Sequence, residues 1–366
     1  MISGIDINGK FLSASPTGVH RVAHELTAAL ARRNGDQLHG QPLRVLAPRD
    51  TRGQPSFGAI PVKIGGLLTW QFWEQFSLPW RSRGHLLVSL CNLAPVTRSK
   101  AVTMIHDAQV FLSPASYSRP FRAWYSIVLP AIGRRHRRIL TVSEYSRQQL
   151  AHFGVAPLAK IHVVPNGADH ILQVPSDVTI VDRLGLEAGN YVVGLANLQA
   201  HKNIPLLLRA FADPRLAGSK LVLVGGADAA AFAARGHAVP PNVVFAGKVS
   251  DGGLRGLLEQ ACCLAFPSTT EGFGLPPLEA MILGCPAIVA PCGALPEVCG
   301  EAAVYCSPDD PAAWAGAIGR FLDDATWRDK YVAASQQHAA LFTWDRAAGL
   351  LEESIAAAIS SESRSA

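Results

Sequence analysis

The chain has 366 residues, enough for two domains at about 100–200 residues each. Hydrophobic residues make up 49% of it and charged ones 17%, below the roughly 25% usual in soluble domains, which excludes intrinsic disorder and allows two large cores. A formal net charge of +5 favours anionic partners but is too mild for a dedicated nucleic-acid binder.

Short β-branched runs alternate with helical patterns almost from end to end. Residues 2–7, 43–47, 85–90, 101–106, 138–143 and 161–165 read as buried parallel strands, apolar on both faces because helical crossovers cover both sides of such a sheet. Val22, Leu26, Ala29 and Leu30 fall at helical spacing, and Ser143 is the expected N-cap of a helix that begins at Glu144. After Asn166-Gly167 the pattern breaks: residues 171–190 carry Pro175, Ser176, Asp177, Gly185 and Gly189 with little periodicity, which predicts a linker. A second series follows at 191–196, 220–225, 242–247, 262–267, 286–290 and 302–306, with Leu254, Leu257, Leu258 and Ala261 marking a helix face capped by Ser250 or Asp251. Two βα series predict two doubly wound α/β domains, residues 1–170 and 191–343, joined by 171–190 and followed by a helix and polar tail, 344–366, frayed from Ser360 onward. Ligands of such sheets bind at the carboxyl ends of the strands, so two facing domains predict a cleft.

The N-terminal MISGIDINGK has Asp6 inside its short apolar run and no basic region before it, so it does not read as a signal peptide. No apolar stretch reaches the 18 or so residues that span a membrane, and a soluble, intracellular protein is expected. Of the seven cysteines, Cys285, Cys292, Cys299 and Cys306 recur every seven residues, but no C-x2-C pair occurs and metal ligands are not expected. Buried free thiols are the reading.

The segment EGFGLPPLEA, Glu271 to Ala280, follows a strand and opens a helix. Glycines at 272 and 274 let backbone approach a ligand, and a helix N-terminus offers N–H groups to anions. Spacing alone leaves two readings open, a ligand loop with two separated carboxylates or a strand–turn–helix junction with two solvated acids. The Glu-x7-Glu spacing with GFGLPPLEAM resembles the donor-binding signature of the retaining family 4 glycosyltransferases. Further segments are similar in the same order: TGVHRVAHEL from Thr17, WEQFSLP from Trp73, TMIHDAQVF from Thr103, TVSEYSRQQL with IHVVPNGAD, ANLQAHKN from Ala196, and ALPEVCGEAA from Ala294. The N-terminal segments resemble a subgroup rich in mannosyltransferases, and the likeness spans roughly residues 1–350.

The resemblance implies the GT-B architecture: two Rossmann-like domains facing across a cleft, an acceptor-side one at 1–170 and a nucleotide-sugar-binding one at 191–343, with a C-terminal helix crossing back to the N-domain. It implies that Gly18 lies where a loop amide meets the donor phosphate, and that His106 contacts the donor sugar. Lys202 would pair with the diphosphate. Glu271 would meet sugar hydroxyls, with amides of Phe273, Gly274 and Leu275 beside it, and Glu279 would hold the ribose. Gly247, Lys248 and Val249 resemble the loop that holds the base. His106, Glu271 and Lys202 are the expected catalytic set. Many members carry an arginine five or six residues before the lysine; here Ala196 and Asn197 stand there, so Arg21, Asn197 and His201 enter as further phosphate-site candidates.

The residue types suit this chemistry. A departing nucleoside diphosphate gains negative charge, which a fixed cation and helix-terminal amides stabilise. No D-x-D pair follows a strand, and Asp309-Asp310 reads as a helix start, so neither a metal nor another cofactor is expected. On the acceptor side, the segment from Tyr117 to Arg138 mixes aromatics with arginines. It reads either as a membrane-surface contact or as an amphipathic helix packed on the N-domain with a solvated basic end. The resemblance implies a nucleotide-sugar donor, GDP-mannose being favoured, a saccharide acceptor of lipid-linked type, no nucleic acid, and a cytoplasmic place peripheral to the inner membrane face. The competing readings are a nucleotide-sugar epimerase of the same architecture and a non-catalytic nucleotide-binding protein.

Overall fold

The structure, a computed structural model, describes residues 2–14 and 17–363. It divides into two compact units, one holding the described residues up to Gly167 together with those from Thr343 onward, the other Ala168–Phe342. The first is built on strands β1 (Ile5–Asn8), β2 (Gln37–Leu38), β3 (Gln41–Ala47), β4 (Val62–Ile64), β5 (Leu86–Ser89), β6 (Ala101–Met104), β7 (Arg138–Thr141) and β8 (Ile161–Val163). Their order is β2-β3-β1-β5-β6-β7-β8, with β4 also on β3, and every pairing is parallel except β2 with β3. All six runs read as strands are there. The two additions, β2 and β4, lie at the sheet edge and are two and three residues long, too short to leave a periodic signal.

The second unit holds β9 (Tyr191–Ala196), β10 (Lys220–Gly225), β11 (Val243–Gly247), β12 (Cys263–Phe266), β13 (Ala287–Val289) and β14 (Val304–Tyr305), all parallel, in the order β11-β10-β9-β12-β13-β14. Helices packed on the sheets close each core: Ile105, Leu129, Ile132 and Leu150 meet in the first, and Leu207, Leu223, Trp314 and Phe321 in the second. This is the doubly wound plan, two Rossmann-like units as in the GT-B fold, with the last helix, Trp344–Ser363, returning to the first unit. There Arg33 of helix Gly18–Asn34 clamps it through Asp345 and Glu352, each at 2.7 Å. Ser360 is within that helix; residues 364–366 of the expected tail lie outside the described residues.

The caps stand where local sequence places them. Ser143 accepts from Ser146 N at 3.0 Å, Ser250 from Gly253 N at 3.1 Å, and Asp310 caps Pro311–Asp323. Residues 171–190 differ from the expected linker. They hold a short helix, Thr179–Arg183, bury Ile180 and Val181, and lie on helix Asp251–Gln260 as part of the second unit. The reason is local to that helix. Gly252 and Gly256 leave room for the passing backbone, and Arg255 donates to the carbonyls of Leu172 and Val174 at 2.8 Å each. The turn residues of 171–190 therefore bend a packed segment. All seven cysteines are free thiols, five of them buried, and among the described residues no three His, Cys, Asp or Glu side chains gather as a metal site. No helix among the described residues is long and apolar enough to cross a membrane.

Candidate functional site

In the second sheet the strand order reverses between β9 and β12, and β12 pairs directly with β9 through Cys263↔Val192 and Leu264↔Val193. Loops leaving the carboxyl ends of two such neighbours diverge to opposite faces and leave a crevice between them. The loop after β9 carries Lys202 and the loop after β12 carries Glu271. Their side chains meet: Lys202 Nζ donates to Glu271 Oε1 at 2.6 Å, with the two side chains only 19% and 13% exposed. Lys202 Nζ also stands 5.5 Å from the centre of the Phe266 ring. Both ends of the pair are anchored by backbone. Asn203, left-handed at φ +51°, donates to Pro308 O at 2.8 Å just after Lys202, and Ala294 N donates to Glu271 O at 3.0 Å. Gly293, at φ +63°, lies so close that a Cβ there would stand 2.5 Å from Glu271 N.

Gly272, Phe273 and Gly274 are buried, and the Phe273 ring meets Phe342 edge-on at 6.0 Å. Gly274, at φ +101°, turns the chain into helix Leu275–Ile282. Pro276 and Pro277 occupy its first turn and carry no N–H, so the amides this helix start can offer an anion are those of Gly274 and Leu275. Glu279, one turn on, is 7% exposed. Its Oε1 lies 3.0 Å from Nε2 of His170, on the turn Asp169–Gln173, while Oε2 makes no hydrogen bond among the described residues. This contact leaves one carboxylate oxygen, Oε2, for a ligand. Sequence reading missed His170; its one signal was its place directly after PNGAD.

Of the other residues expected here, Gly247 ends β11 at φ +68° with open space beside it, Lys248 is exposed, and Val249 is half-buried in the same loop. Asn197 turns its Oδ1 to Gln199 N at 2.8 Å and so shapes the loop after β9. His201 is buried, and burial together with the charge of Lys202 holds its imidazole below the ordinary value. At neutral pH it is uncharged, so it does not replace the absent arginine as a cation. Arg235, which the sequence reading did not single out, donates to Leu198 O and brings a guanidinium to this loop.

The remaining expected residues belong to the first unit. His106 follows β6 and is 5% exposed. Its Nε2 is 2.8 Å from Leu90 O, which can only accept, so Nε2 carries the proton and Nδ1 is left as an acceptor. Asn92, left-handed at φ +64°, holds His106 N through its Oδ1 at 2.8 Å. Burial, above all, pushes the imidazole down to about 4, so it is neutral across the physiological range. Gly18 opens helix Gly18–Asn34, and nothing among the described residues lies within 4 Å of where its Cβ would stand, so packing against them does not require a glycine there. Arg21 follows on the same helix, half-buried. At the carboxyl edge where β1 and β5 adjoin, a cavity of about 360 Å³ is lined by Lys10, His20, Arg52, Glu74, Cys91 and Tyr125 among others. Buried Glu74 accepts from Lys10 and from Asn8, each at 2.8 Å.

Comparison with known proteins bears on both units. Residues 16–171 match the family described as Glycosyltransferase Family 4, and residues 189–324 match Glycosyl transferases group 1. The chain is 27% identical over 261 residues to O-antigen chain mannosyltransferase B of Escherichia coli, an overlap of 69% of this chain and 68% of that protein. It is 28% identical over 258 residues to O-antigen chain mannosyltransferase RfbU of Salmonella typhimurium, covering 68% and 69%. Among solved structures, sucrose-phosphate synthase of Thermosynechococcus elongatus superposes with a TM-score of 0.75 at 19% identity, over 97% of this chain and all (100%) of that one.

Proposed function

We propose that this chain, which belongs to the family 4 glycosyltransferases, is a retaining mannosyltransferase that takes GDP-mannose as donor and a lipid-linked saccharide as acceptor in surface-polysaccharide assembly. The observation that carries the reading is the Lys202–Glu271 pair at the switch point, with Glu279 beside His170 on the adjoining helix. Two relatives named as O-antigen mannosyltransferases support mannose and the polysaccharide role. In this reading the donor diphosphate takes over Lys202, whose charge then offsets the negative charge that grows on the leaving phosphate. Glu271, released from the lysine, meets the sugar hydroxyls. The open oxygen of Glu279 accepts from the ribose, and the loop of Gly247, Lys248 and Val249 meets the base. His106 Nδ1 serves as acceptor for a sugar hydroxyl, and the amide at Gly18 approaches phosphate. The departing phosphate oxygen takes the acceptor's proton on the face it leaves, which retains the anomeric configuration, and the protein cations act without a metal.

The test is a transfer assay with GDP-mannose, UDP-glucose and GDP-fucose, with and without a lipid extract from bacterial membranes, in the presence and absence of EDTA. Mannose should move to the lipid fraction from GDP-mannose alone, in α-linkage, and EDTA should change the rate by no more than a few-fold. Isomerised or released sugar without acceptor would make the chain an epimerase or a hydrolase. Complete loss in EDTA, restored by Mg²⁺, would overturn the metal-free phosphate site.

A further inference from the structure

The first unit carries an apolar surface that the transfer reaction does not use. Residues 70–81 run as one helical stretch with a π turn, Trp73–Ser77, at its centre. Its inner face buries Trp73 and Leu78, which satisfies the core. Its outer face is apolar as well: Phe72, Phe76 and Trp80, four residues apart, are each about two-thirds exposed (66%, 66% and 70%). Leu67, just before this helix, adds 89% exposure and Trp70, its first residue, 73%. A surface helix ordinarily pairs an apolar inner stripe with a polar outer one, and a helix apolar all round faces a second apolar phase. Across the cavity of the first unit, helix Arg119–Arg135 turns Phe121, Trp124 and Ile127 outward. The two segments adjoin, because Trp70 and Gln71 of one and Tyr125 of the other line that same cavity.

Apart from buried Glu74, the charges these two segments carry have one sign. Between residues 61 and 83 the charged side chains are Lys63, Glu74, Arg81 and Arg83, and Glu74 is buried against Lys10. Between 114 and 138 there are six arginines and no acid. Tryptophan rings favour the interfacial zone of a bilayer, and cations in the same zone attract anionic headgroups. A second copy of the chain is the poorer occupant. In a two-fold dimer the patch would meet itself and set arginines against arginines.

We propose that the strip from Leu67 to Trp80, with the outward face of helix Arg119–Arg135, is a docking surface for an anionic lipid bilayer. The aromatic side chains enter the headgroup region, while Lys63, Arg83, Arg119 and Arg122 meet lipid phosphates. Docking sets the mouth of the cavity against the membrane surface. The inference rests on the lipid-linked acceptor of the proposed function for its purpose, while the exposed apolar surface is independent of it. It also shifts the membrane contact expected from Tyr117 to Arg138 alone onto a larger surface, most of whose apolar side chains come from the strip.

Flotation of the full chain with vesicles tests it, using phosphatidylcholine alone and phosphatidylcholine with 30% phosphatidylglycerol. The chain should float with the anionic vesicles and be released by high salt. Phe72→Ser/Phe76→Ser/Trp80→Ser should lower the bound fraction at least tenfold, and Arg119→Glu/Arg122→Glu should do the same at low salt. Brominated lipid should quench tryptophan fluorescence in the native chain and less in Trp80→Phe. Melting temperature and GDP affinity report that each variant is folded, and Trp80→Ser alone substitutes if the triple variant is not. Native-like flotation of the aromatic variant would overturn the proposal. So would lipid-free dimerisation of the native chain that the same variant abolishes, since that assigns the patch to a second copy. Sugar transfer is a separate readout: docking without transfer leaves this inference standing and defeats the mannosyltransferase reading, and transfer without docking does the reverse.

Discussion

At the carboxyl edge of the second sheet polar side chains meet in pairs, Lys202 with Glu271 and Glu279 with His170. At the edge of the first sheet they end in a neutral, buried His106 and a cavity beside an aromatic rim. Both sheets follow the same doubly wound plan, so the difference lies in the loops, and in the proposed reaction it follows from what each would hold. A nucleoside diphosphate is a fixed, multiply charged ligand, and charge that is already oriented and partly desolvated meets it without reorganisation. A saccharide carried by a lipid is neutral at its hydroxyls and greasy at its anchor, which suits hydrogen-bond acceptors, apolar walls and a membrane-facing rim.

The sharpest way to break this contrast is Lys202→Ala. Removing one partner of a buried charge pair costs about 2–5 kcal/mol, or about 30- to 5000-fold in kcat/KM at 1.4 kcal/mol per decade. Part of that loss is Glu271 left without its cation. The double variant Lys202→Ala/Glu271→Gln should therefore lose less than the two single effects combined. Near-native turnover in a folded Lys202→Ala protein would move the phosphate role to Arg21 or Arg235.

Acid separates the units next. His106 and His136 of the first unit are both pushed down to about 4, mainly by burial, against about 6.5 in an unfolded chain. The unfolded state then binds protons that the folded state refuses. Stability contributed by these neutral histidines is complete above pH 6.5 and is lost as pH falls from 6.5 to 4, by an amount on the order of a few kcal/mol. Hydrogen exchange followed by mass spectrometry at pH 7 and pH 4.5 should show peptides around β6 and β7 losing protection before those of β9 and β10. Equal protection losses would show that the first unit is not the acid-sensitive one.

The two carboxylates of the second unit sharpen the comparison further. Glu279→Gln should weaken GDP and GDP-mannose alike by about 1–3 kcal/mol, the range for a hydrogen bond to a charged group, with kcat nearly unchanged. Glu271→Gln should lower kcat tenfold or more while GDP binds as well as before or better, because Lys202 no longer has to leave a partner. Isothermal titration with GDP beside steady-state kinetics separates the two; loss of GDP binding in Glu271→Gln with none in Glu279→Gln would reverse the donor's direction along the loop. The smallest structural effect belongs to Gly18→Ala. With open space among the described residues around that position, its unfolding free energy should stay within about 0.5 kcal/mol of native, while a donor phosphate approaching the amide would meet the new methyl and slow transfer. Unchanged transfer would remove Gly18 from the site.

Much of the framework was legible in the residues. Strands buried on both faces announce themselves as continuous apolar runs, and caps such as Ser143, Ser250 and Asp310 act over three residues of their own chain. The Glu-x7-Glu segment was legible for the same reason, since one turn and one helix fix its spacing. The composition of 171–190 misled because turn residues look alike in a free linker and in a segment bent over a helix; Arg255 and two glycines, about 75 residues further on, decide which it is.

What the tertiary structure alone decided is which of these residues meet. Lys202 and Glu271 are 69 residues apart, and their ion pair exists because β9 and β12 are neighbours at the point where the strand order turns back. His170 reaches Glu279 because the turn before 171–190 packs on helix Leu275–Ile282. The exposure of Phe72, Phe76 and Trp80 was likewise invisible in a segment whose apolar residues could all have been core; only the placement of Trp73 and Leu78 on the inner face turns the others outward. Local sequence sets the elements because propensity and periodicity act within a few residues. The site and the exposed strip depend on strand order and on which helix face the core accepts, and those are properties of the packed whole.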